Sequence, residues 1–361
     1  MARDGIWNFS AGPSVMPLSV LEKAREELCD WNGSGMSIME MSHRSALFQD
    51  IFSSVKAKLR EVLSVPESHE LLFLQGGATL QFSAIPMNLI RGGTADYAVT
   101  GNFSKKAAVE AEKYGRVNIA ASSADTLFDR IPGQSELKLS RDAEYFYYCS
   151  NNTVYGTRWH YLPQTEAPLV CDMSSDILSG PVDVSKYGLI YAGAQKNMAP
   201  AGLTVLIIDK KLAGGHLPYT PEIMRYDTLI KNDSMLNTPP CWCIYMLGLT
   251  LDWIKQQGGL EGMKELREMR SGALYDYLDN SRLFKASAER LSRSEMNVTF
   301  TTGSKELDGE FVEGAEKLGL LNLKGHKVAG GMRASLYNAM PVEAVSALLD
   351  YMKKFEVQHH V

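Results

Sequence analysis

The chain is expected to fold as an α/β protein: a large unit with a mainly parallel seven-stranded sheet, then a smaller C-terminal αβ domain. Seven short apolar runs between residues 70 and 209 supply the strands. Their apolar character is near-continuous rather than strictly alternating, as in strands covered by helices on both faces. Beyond about residue 260 the register changes to a compact unit in which strands and helices alternate.

The first helix is expected in "PLSVLEKAREELCDW" at 17–31, where apolar residues recur at helical spacing and Pro17 stands near the start. "FQDIFSSVKAKLREVL" at 48–63 repeats that spacing. The seven strands are "ELLFLQ" (70–75), "ADYAVT" (95–100), "GRVNIA" (115–120), "AEYFYYC" (143–149), "PLVCDM" (168–173), "GLIYAG" (188–193) and "LTVLIID" (203–209). Helical segments at 78–90 and 104–115 follow the first two. The apolar helix "CWCIYMLGLTLDWIKQQ" (241–257) belongs either in the interior or at an interface. A Gly pair at 258–259 then interrupts the pattern before an amphipathic helix at 260–279. "MNVTFTT" and "GGMRASLYNA" read as strands, "ELDGEFVEGAEKLGL" and "PVEAVSALLDYMKKF" as helices, the last opened by Pro341. Residues 16–259 therefore form the large domain and 260–361 the small one, joined by an N-terminal segment, 1–15.

The chain has 361 residues, 45% apolar and 22% charged, and a formal net charge of –5. That is a globular composition without the basic block expected of a nucleic-acid binder. No run approaches the roughly 20 apolar residues of a membrane span, and "MARDGIWNFSAGP" does not read as a signal peptide. Five cysteines, Cys29, Cys149, Cys171, Cys241 and Cys243, with no paired zinc spacing, point to free thiols, no metal and a cytoplasmic setting. The pair at 359–360 reads as a solvent-exposed tail rather than a metal site.

Chemistry is suggested at three places. "YAGAQKN" (191–197) sets Lys196 in a Gly/Ala-lined turn between two buried-looking strands. It is either an outward-pointing loop residue or a functional amine, since burying an unpaired ammonium is costly. "LFLQGGATLQF" puts Gly76 and Gly77 between a strand and a helix, for a tight connection or for cradling a phosphate on free N–H groups. It is neither a Walker A loop nor a dinucleotide fingerprint. Asp172 ends a buried strand 24 residues before Lys196, where it either caps a turn or faces a ligand. Together the three suit pyridoxal phosphate: a Schiff-base lysine, a carboxylate for the pyridine nitrogen and backbone donors for the phosphate.

Seven ordered blocks then carry a resemblance along nearly the whole chain: "NFSAGPS", "MSHRS", "FLQGGA", "NNTVYGT", "CDMSSDILSGPVDVSKYGLIYAGAQKN", "NTPP" and "GHKVAGGMRASLYNAM". The chain resembles the phosphoserine aminotransferases, class V enzymes of the fold-type I pyridoxal phosphate transferases. The resemblance implies pyridoxal 5'-phosphate as cofactor and Lys196 as the catalytic Schiff-base residue, with Asp172 on the pyridine nitrogen and Thr153 on the phenolic oxygen. It implies Gly77, Ala78 and Gln195 on the phosphate, and a homodimer in which Asn237 and Thr238 reach the neighbouring subunit's cofactor phosphate. It also implies Arg333 on the substrate α-carboxylate, with His43, Arg44 and His326 on the distal phosphate or γ-carboxylate. Arginine suits such clamping, although a surface helix cap is the other reading of Arg44.

The implied reaction interconverts O-phospho-L-serine plus 2-oxoglutarate with 3-phosphooxypyruvate plus L-glutamate in L-serine biosynthesis, with a further role in pyridoxine biosynthesis if the source is bacterial. Other class V activities are the alternatives: an alanine–glyoxylate type transaminase, or a desulfurase, for which no loop cysteine is seen. A cofactor-free scaffold would have no need of Lys196 and Asp172. The sequence departs from the family pattern at Phe103, where many members have a stacking tryptophan, at Lys327 and at Ala199.

Overall fold

The computed structural model describes residues 5–359. After a two-residue strand, β1 (Trp7–Asn8), come helices α1 (Leu18–Glu26) and α2 (Ala46–Val62). Strand β2 (His69–Leu74) leads into α3 (Gly77–Leu89), and β3 (Thr94–Val99) into α4 (Asn102–Ala111). Strands β4 (Arg116–Ser122) and β5 (Ala143–Cys149) follow. A short hairpin of β6 (Asn151–Asn152) and β7 (Thr157–Arg158) precedes β8 (Leu169–Asp172), β9 (Leu189–Gly193) and β10 (Thr204–Asp209). All seven apolar runs are strands of one sheet, in the order β2-β10-β9-β8-β5-β3-β4. Neighbours from β9 to β4 are parallel, whereas β10 runs antiparallel between β2 and β9. The loop at 194–203 returns the chain directly, so β9 and β10 pair antiparallel without a crossover.

Each strand feeds two cores. In β5, Tyr145 and Tyr147 enter the layer under α3 and α4, while Phe146 and Tyr148 enter the layer under α2 and α6 (Cys241–Gln256). This two-sided burial is why the runs are apolar throughout. Helix α2 starts at Ser45, whose Oγ accepts from the Phe48 N–H, and buries Phe48, Ile51, Phe52, Val55 and Leu59 along one stripe. Helix α6 lies against it. Gly248 lets the two backbones approach, because a Cβ there would sit 2.8 Å from Val55 Cγ2. The first helix ends at Glu26, short of the expected Trp31. "DWNGSG" takes turn chemistry instead: the Gly35 N–H donates to Asp30 Oδ1 at 2.8 Å, and Gly33 and Gly35 have positive φ.

Between β10 and α6 in the chain comes a short helix, α5 (Tyr226–Lys231), whose Tyr226 and Leu229 enter the layer under α3 and α4. Past the positive-φ pair Gly258–Gly259 the chain builds its second unit. Helix α7 (Gly259–Asn280) leads to β11 (Lys285–Ala286) and β12 (Asn297–Thr301). Then come α8 (Lys305–Lys317), β13 (Leu320–Leu321), β14 (Met332–Ser335) and α9 (Val342–Gln358). Strands β11, β12 and β14 form an antiparallel sheet whose core gathers Phe284, Phe300, Phe311 and Phe355. Strand β14 is shorter than "GGMRASLYNA" suggested, because Gly330 and Gly331 take left-handed φ before it. Strand β1 pairs in parallel with β13 and buries Phe9 in this same core. Arg270 of α7 is 1% exposed and donates from Nη1 to the carbonyls of Asn338 and Met340 at 2.9 and 2.6 Å. Burial, with Arg267 nearby, pushes its pKa down to about 10.

All five cysteines are free thiols, and Cys29 is exposed. His359 lies 3.4 Å from Glu310, while His360 falls outside the described residues, as do the first four residues of the 1–15 segment and Val361. Among the described residues no helix is long and apolar enough to cross a membrane. The α2–α6 contact yields a test. Gly248→Leu is expected to destabilise the protein by about 1–3 kcal/mol through overpacking. Adding Val55→Ala should recover part of that loss in a urea unfolding midpoint, and no recovery would place the clash elsewhere.

Candidate active site

The carboxyl ends of β2, β3, β5, β8 and β9 lie along one edge of the large sheet, the edge where open α/β sheets take ligands. Gly76 and Gly77 follow β2, Phe103 opens α4 after β3, and Thr153 follows β5 and β6. Asp172 ends β8, and Lys196 follows β9. Gly76 has φ +92 and Gly77 φ +67, and a Cβ on Gly76 would collide with Leu80. Glycine is therefore required at this turn, which leaves the first N–H groups of α3, including those of Gly77 and Ala78, without intrahelical acceptors.

Lys196 is half-buried, and its Nζ donates to Thr153 Oγ1 at 2.8 Å. The Phe103 ring lies 5.8 Å from that nitrogen, so the aromatic face expected from the sequence is at the lysine's tip. Gln195 folds its amide over Gly193, where a Cβ would come within 2.7 Å of Oε1. The loop is held from outside by the N-terminal segment. The Ser14 N–H donates to the Gln195 carbonyl at 2.9 Å, and Ser14 Oγ donates to the Lys196 carbonyl. Gly12, at φ +138, lies against the lysine stem, with its Cβ position 3.3 Å from Cγ. Ala199 is absent from the positive-φ residues, so the alanine meets no left-handed strain there.

Asp172 is 4% exposed. Its Oδ1 accepts from the Ser174 N–H at 2.9 Å, and its Oδ2 accepts from the Tyr191 hydroxyl at 3.1 Å. Ser174 Oγ in turn accepts from the Gly193 N–H at 3.0 Å, tying the carboxylate's turn to the start of the lysine loop.

Arg333 reaches the edge from β14 of the small sheet. Its Nη1 donates to the Thr153 carbonyl at 3.1 Å, so Thr153 meets both the lysine and the arginine. Its Nε is buried with no hydrogen-bond partner among the described residues. Burial lowers the arginine's pKa. His326 is half-buried, and its Nδ1 accepts from the Val328 N–H at 3.3 Å. Burial lowers its pKa, and the charges of Arg333, Lys327 and Lys106 lower it further. Lys106, on α4, adds to this positive field.

The remaining four candidates stand apart. Arg44 is exposed and its Nε donates to His43 Nε2 at 3.3 Å. Gln49 Nε2 joins the His43 carbonyl and Met235 Sδ, linking this pair to the loop before α6. In that loop Asn237 and Thr238 are exposed. Asn237 Nδ2 donates to Gln75 Oε1 at 2.6 Å, and Gln75 Nε2 to the Thr238 carbonyl at 3.2 Å. They thus rim the glycine turn of their own chain. Sequence reasoning had not assigned roles to Ser174, Tyr191, Lys106, Gly12 or Ser14. Strand register and the path of the N-terminal segment decide these contacts, and neither is written in a hydrophobic pattern.

Residues 6–348 match the family described as aminotransferase class-V. A phosphoserine aminotransferase from Bacillus cereus is 51% identical over 98% of this chain and 99% of its own. The structure of a phosphoserine aminotransferase from Bacillus circulans subsp. alkalophilus superposes with a TM-score of 0.96 at 42% identity, over 98% of this chain and 99% of that one. That of a PLP-bound phosphoserine aminotransferase from Trichomonas vaginalis has a TM-score of 0.93 at 40% identity, over 96% and 99%. With this likeness running from the N-terminal segment to α9, the chain belongs to the class-V aminotransferases, in their phosphoserine aminotransferase family.

Proposed function

We propose that the protein catalyses the reversible transamination of O-phospho-L-serine and 2-oxoglutarate to 3-phosphooxypyruvate and L-glutamate, using pyridoxal 5'-phosphate, on the phosphorylated route to L-serine. The observation that carries this reading is the convergence on Thr153, where the Lys196 amine meets the hydroxyl and the Arg333 guanidinium meets the carbonyl. An amine and a carboxylate clamp are thereby fixed side by side, as a reaction at an amino-acid Cα requires.

The donor set fits the cofactor. Asp172 is a buried carboxylate suited to a protonated ring nitrogen, and the free N–H groups at the start of α3 suit a phosphate. Gly77, Ala78 and Gln195 are assigned to that phosphate, Thr153 to the phenolic oxygen and Phe103 to the ring face. When bound, pyridoxal phosphate supplies a carbonyl for the substrate amino group and a protonated ring that draws electron density from the substrate Cα. Lys196 Nζ removes the Cα proton and returns one, acting as general base and then general acid. Arg333 holds the α-carboxylate in both directions and so keeps Cα beside Lys196. His326, with Lys327 and Lys106 contributing charge, faces the distal phosphate or γ-carboxylate, a task shared with His43 and Arg44.

The same reading makes the enzyme a cytoplasmic homodimer. Supporting it, His43, Arg44, Asn237 and Thr238 are tied to one loop region, and three of the four are exposed. Beside Asn237 a groove is lined by Leu80, Ile223 and Pro239, and Leu80 and Ile223 are exposed apolar residues. A second subunit would cover this face and bring Asn237 and Thr238 to its neighbour's cofactor phosphate. We assign residues 16–259 to the cofactor domain and 260–361 to the small domain, with segment 1–15 joined to the latter.

Three outcomes are expected. Borohydride should fix the cofactor on Lys196 in the native chain and leave Lys196→Ala unlabelled; labelling elsewhere would overturn the lysine's role. Glutamate-dependent amination should favour 3-phosphooxypyruvate over glyoxylate and pyruvate by roughly thousandfold in kcat/KM, since a site built for a polar group rejects analogues lacking it. Preference for either unphosphorylated acceptor would reassign the substrate. Arg333→Ala should lower both half-reactions by on the order of a hundredfold, as charge-assisted hydrogen bonds are lost. Loss in a single half-reaction would contradict the α-carboxylate role.

A further inference from the structure

We propose that Tyr191, backed by Tyr147, is a positioning residue that orients the Asp172 carboxylate toward the cofactor's ring nitrogen. The proposal rests on the cofactor reading above and concerns residues behind the pocket rather than within it.

The argument begins with strand register. Asp172 and Tyr191 are direct partners on the parallel strands β8 and β9, so their side chains leave the same face of the sheet. Tyr147, on β5 at the other side of β8, leaves that face too, and all three are buried. The Tyr191 hydroxyl lies 3.1 Å from Asp172 Oδ2 and 2.7 Å from the Tyr147 hydroxyl. An ionised carboxylate can only accept, so the Tyr191 proton is committed to Oδ2. The phenolic oxygen of Tyr191 must then accept from Tyr147. The hydrogen bonds therefore run in one direction, Tyr147 to Tyr191 to Asp172, and a chain of this kind strengthens its last member.

The carboxylate is thus held at both oxygens by different elements. Oδ1 is held by the turn after β8 through the Ser174 N–H, and Oδ2 by β9 through Tyr191. Neither tyrosine can turn away, because the Tyr147 ring stacks on Tyr97 at 4.7 Å and Tyr191 is enclosed by the sheet and α3. The groups that face Tyr191 are Asp172 from β8 and Tyr147 and Cys149 from β5, and burial with the Asp172 charge keeps its phenol protonated. A second hydroxyl pair, Tyr97 and Tyr145, lies in the same layer at 2.6 Å but makes no hydrogen bond to the carboxylate. It provides an internal control of matching chemistry.

The test uses full-length apoprotein, titrated with pyridoxal phosphate and with its 1-deaza analogue, in which carbon replaces the ring nitrogen. Binding is read from the quenching of tryptophan fluorescence. Tyr191→Phe should weaken pyridoxal phosphate about tenfold, the scale of one hydrogen bond to a charged group, and the deaza analogue less than about twofold. Tyr147→Phe should show the same selectivity at about threefold, and Tyr145→Phe should show none. Equal losses for both ligands, an undiminished affinity for pyridoxal phosphate, or a Tyr145→Phe effect matching that of Tyr191→Phe would overturn the proposal. If Tyr191→Phe does not fold, Tyr147→Phe decides by the same comparison. Failure of the unaltered protein to bind pyridoxal phosphate would overturn the cofactor reading itself, and is distinguished by the first titration.

Discussion

Thr153 is a point at which the two halves of the protein meet. Its hydroxyl takes the Lys196 ammonium from the large sheet, and its carbonyl takes the Arg333 guanidinium from the small one. Neither cation has a carboxylate partner within ion-pair distance among the described residues. Two positive side chains are thus held side by side by neutral oxygen acceptors, which leaves their charge uncompensated toward the pocket. A positive charge without a carboxylate partner is free to attract an anion, and more strongly than in bulk water.

The surrounding structure serves to keep that arrangement rigid. Asn197, next to the lysine, donates to the Ile177 carbonyl at 2.9 Å and accepts from the Asn338 N–H at 3.0 Å. Asn338 Nδ2 donates to the Leu178 carbonyl at 2.7 Å, and Arg270 holds the Asn338 carbonyl from α7. The loops after β8, β9 and β14 are therefore sewn together by amide side chains that carry no charge. Buried polar contacts of this kind each stabilise little on balance but resist rearrangement, because breaking one leaves a further buried group without a partner.

Much of this is legible in the sequence. The seven strands stand out because two-sided burial makes each run apolar throughout, as Tyr145, Phe146 and Tyr147 show in β5. Lys196 and Asp172 stand out because a charged residue beside such runs needs a reason. The order of the strands is not legible, since hydrophobic pattern does not say which strand lies beside which. That one fact hides the Tyr191–Asp172 contact, which exists only because β8 and β9 are neighbours in register. His43, Arg44, Asn237 and Thr238 are candidates by resemblance, and in this chain none of the four hydrogen-bonds Lys196, Thr153 or Arg333.

Strand β1 has a consequence for how the molecule is made. Residues 7–8 pair with residues 320–321, and Ser14 follows a few residues later to hold the Lys196 carbonyl. A chain emerging from the ribosome offers β1 no partner until residues 320–321 have been synthesised. The large sheet can assemble long before then, with every one of its seven strands already made by residue 209. Domains generally fold as units in the order of their synthesis, so the lysine loop stands formed but unfastened through much of the remaining translation. The segment that fastens the lysine loop is thus placed after the sheet it fastens.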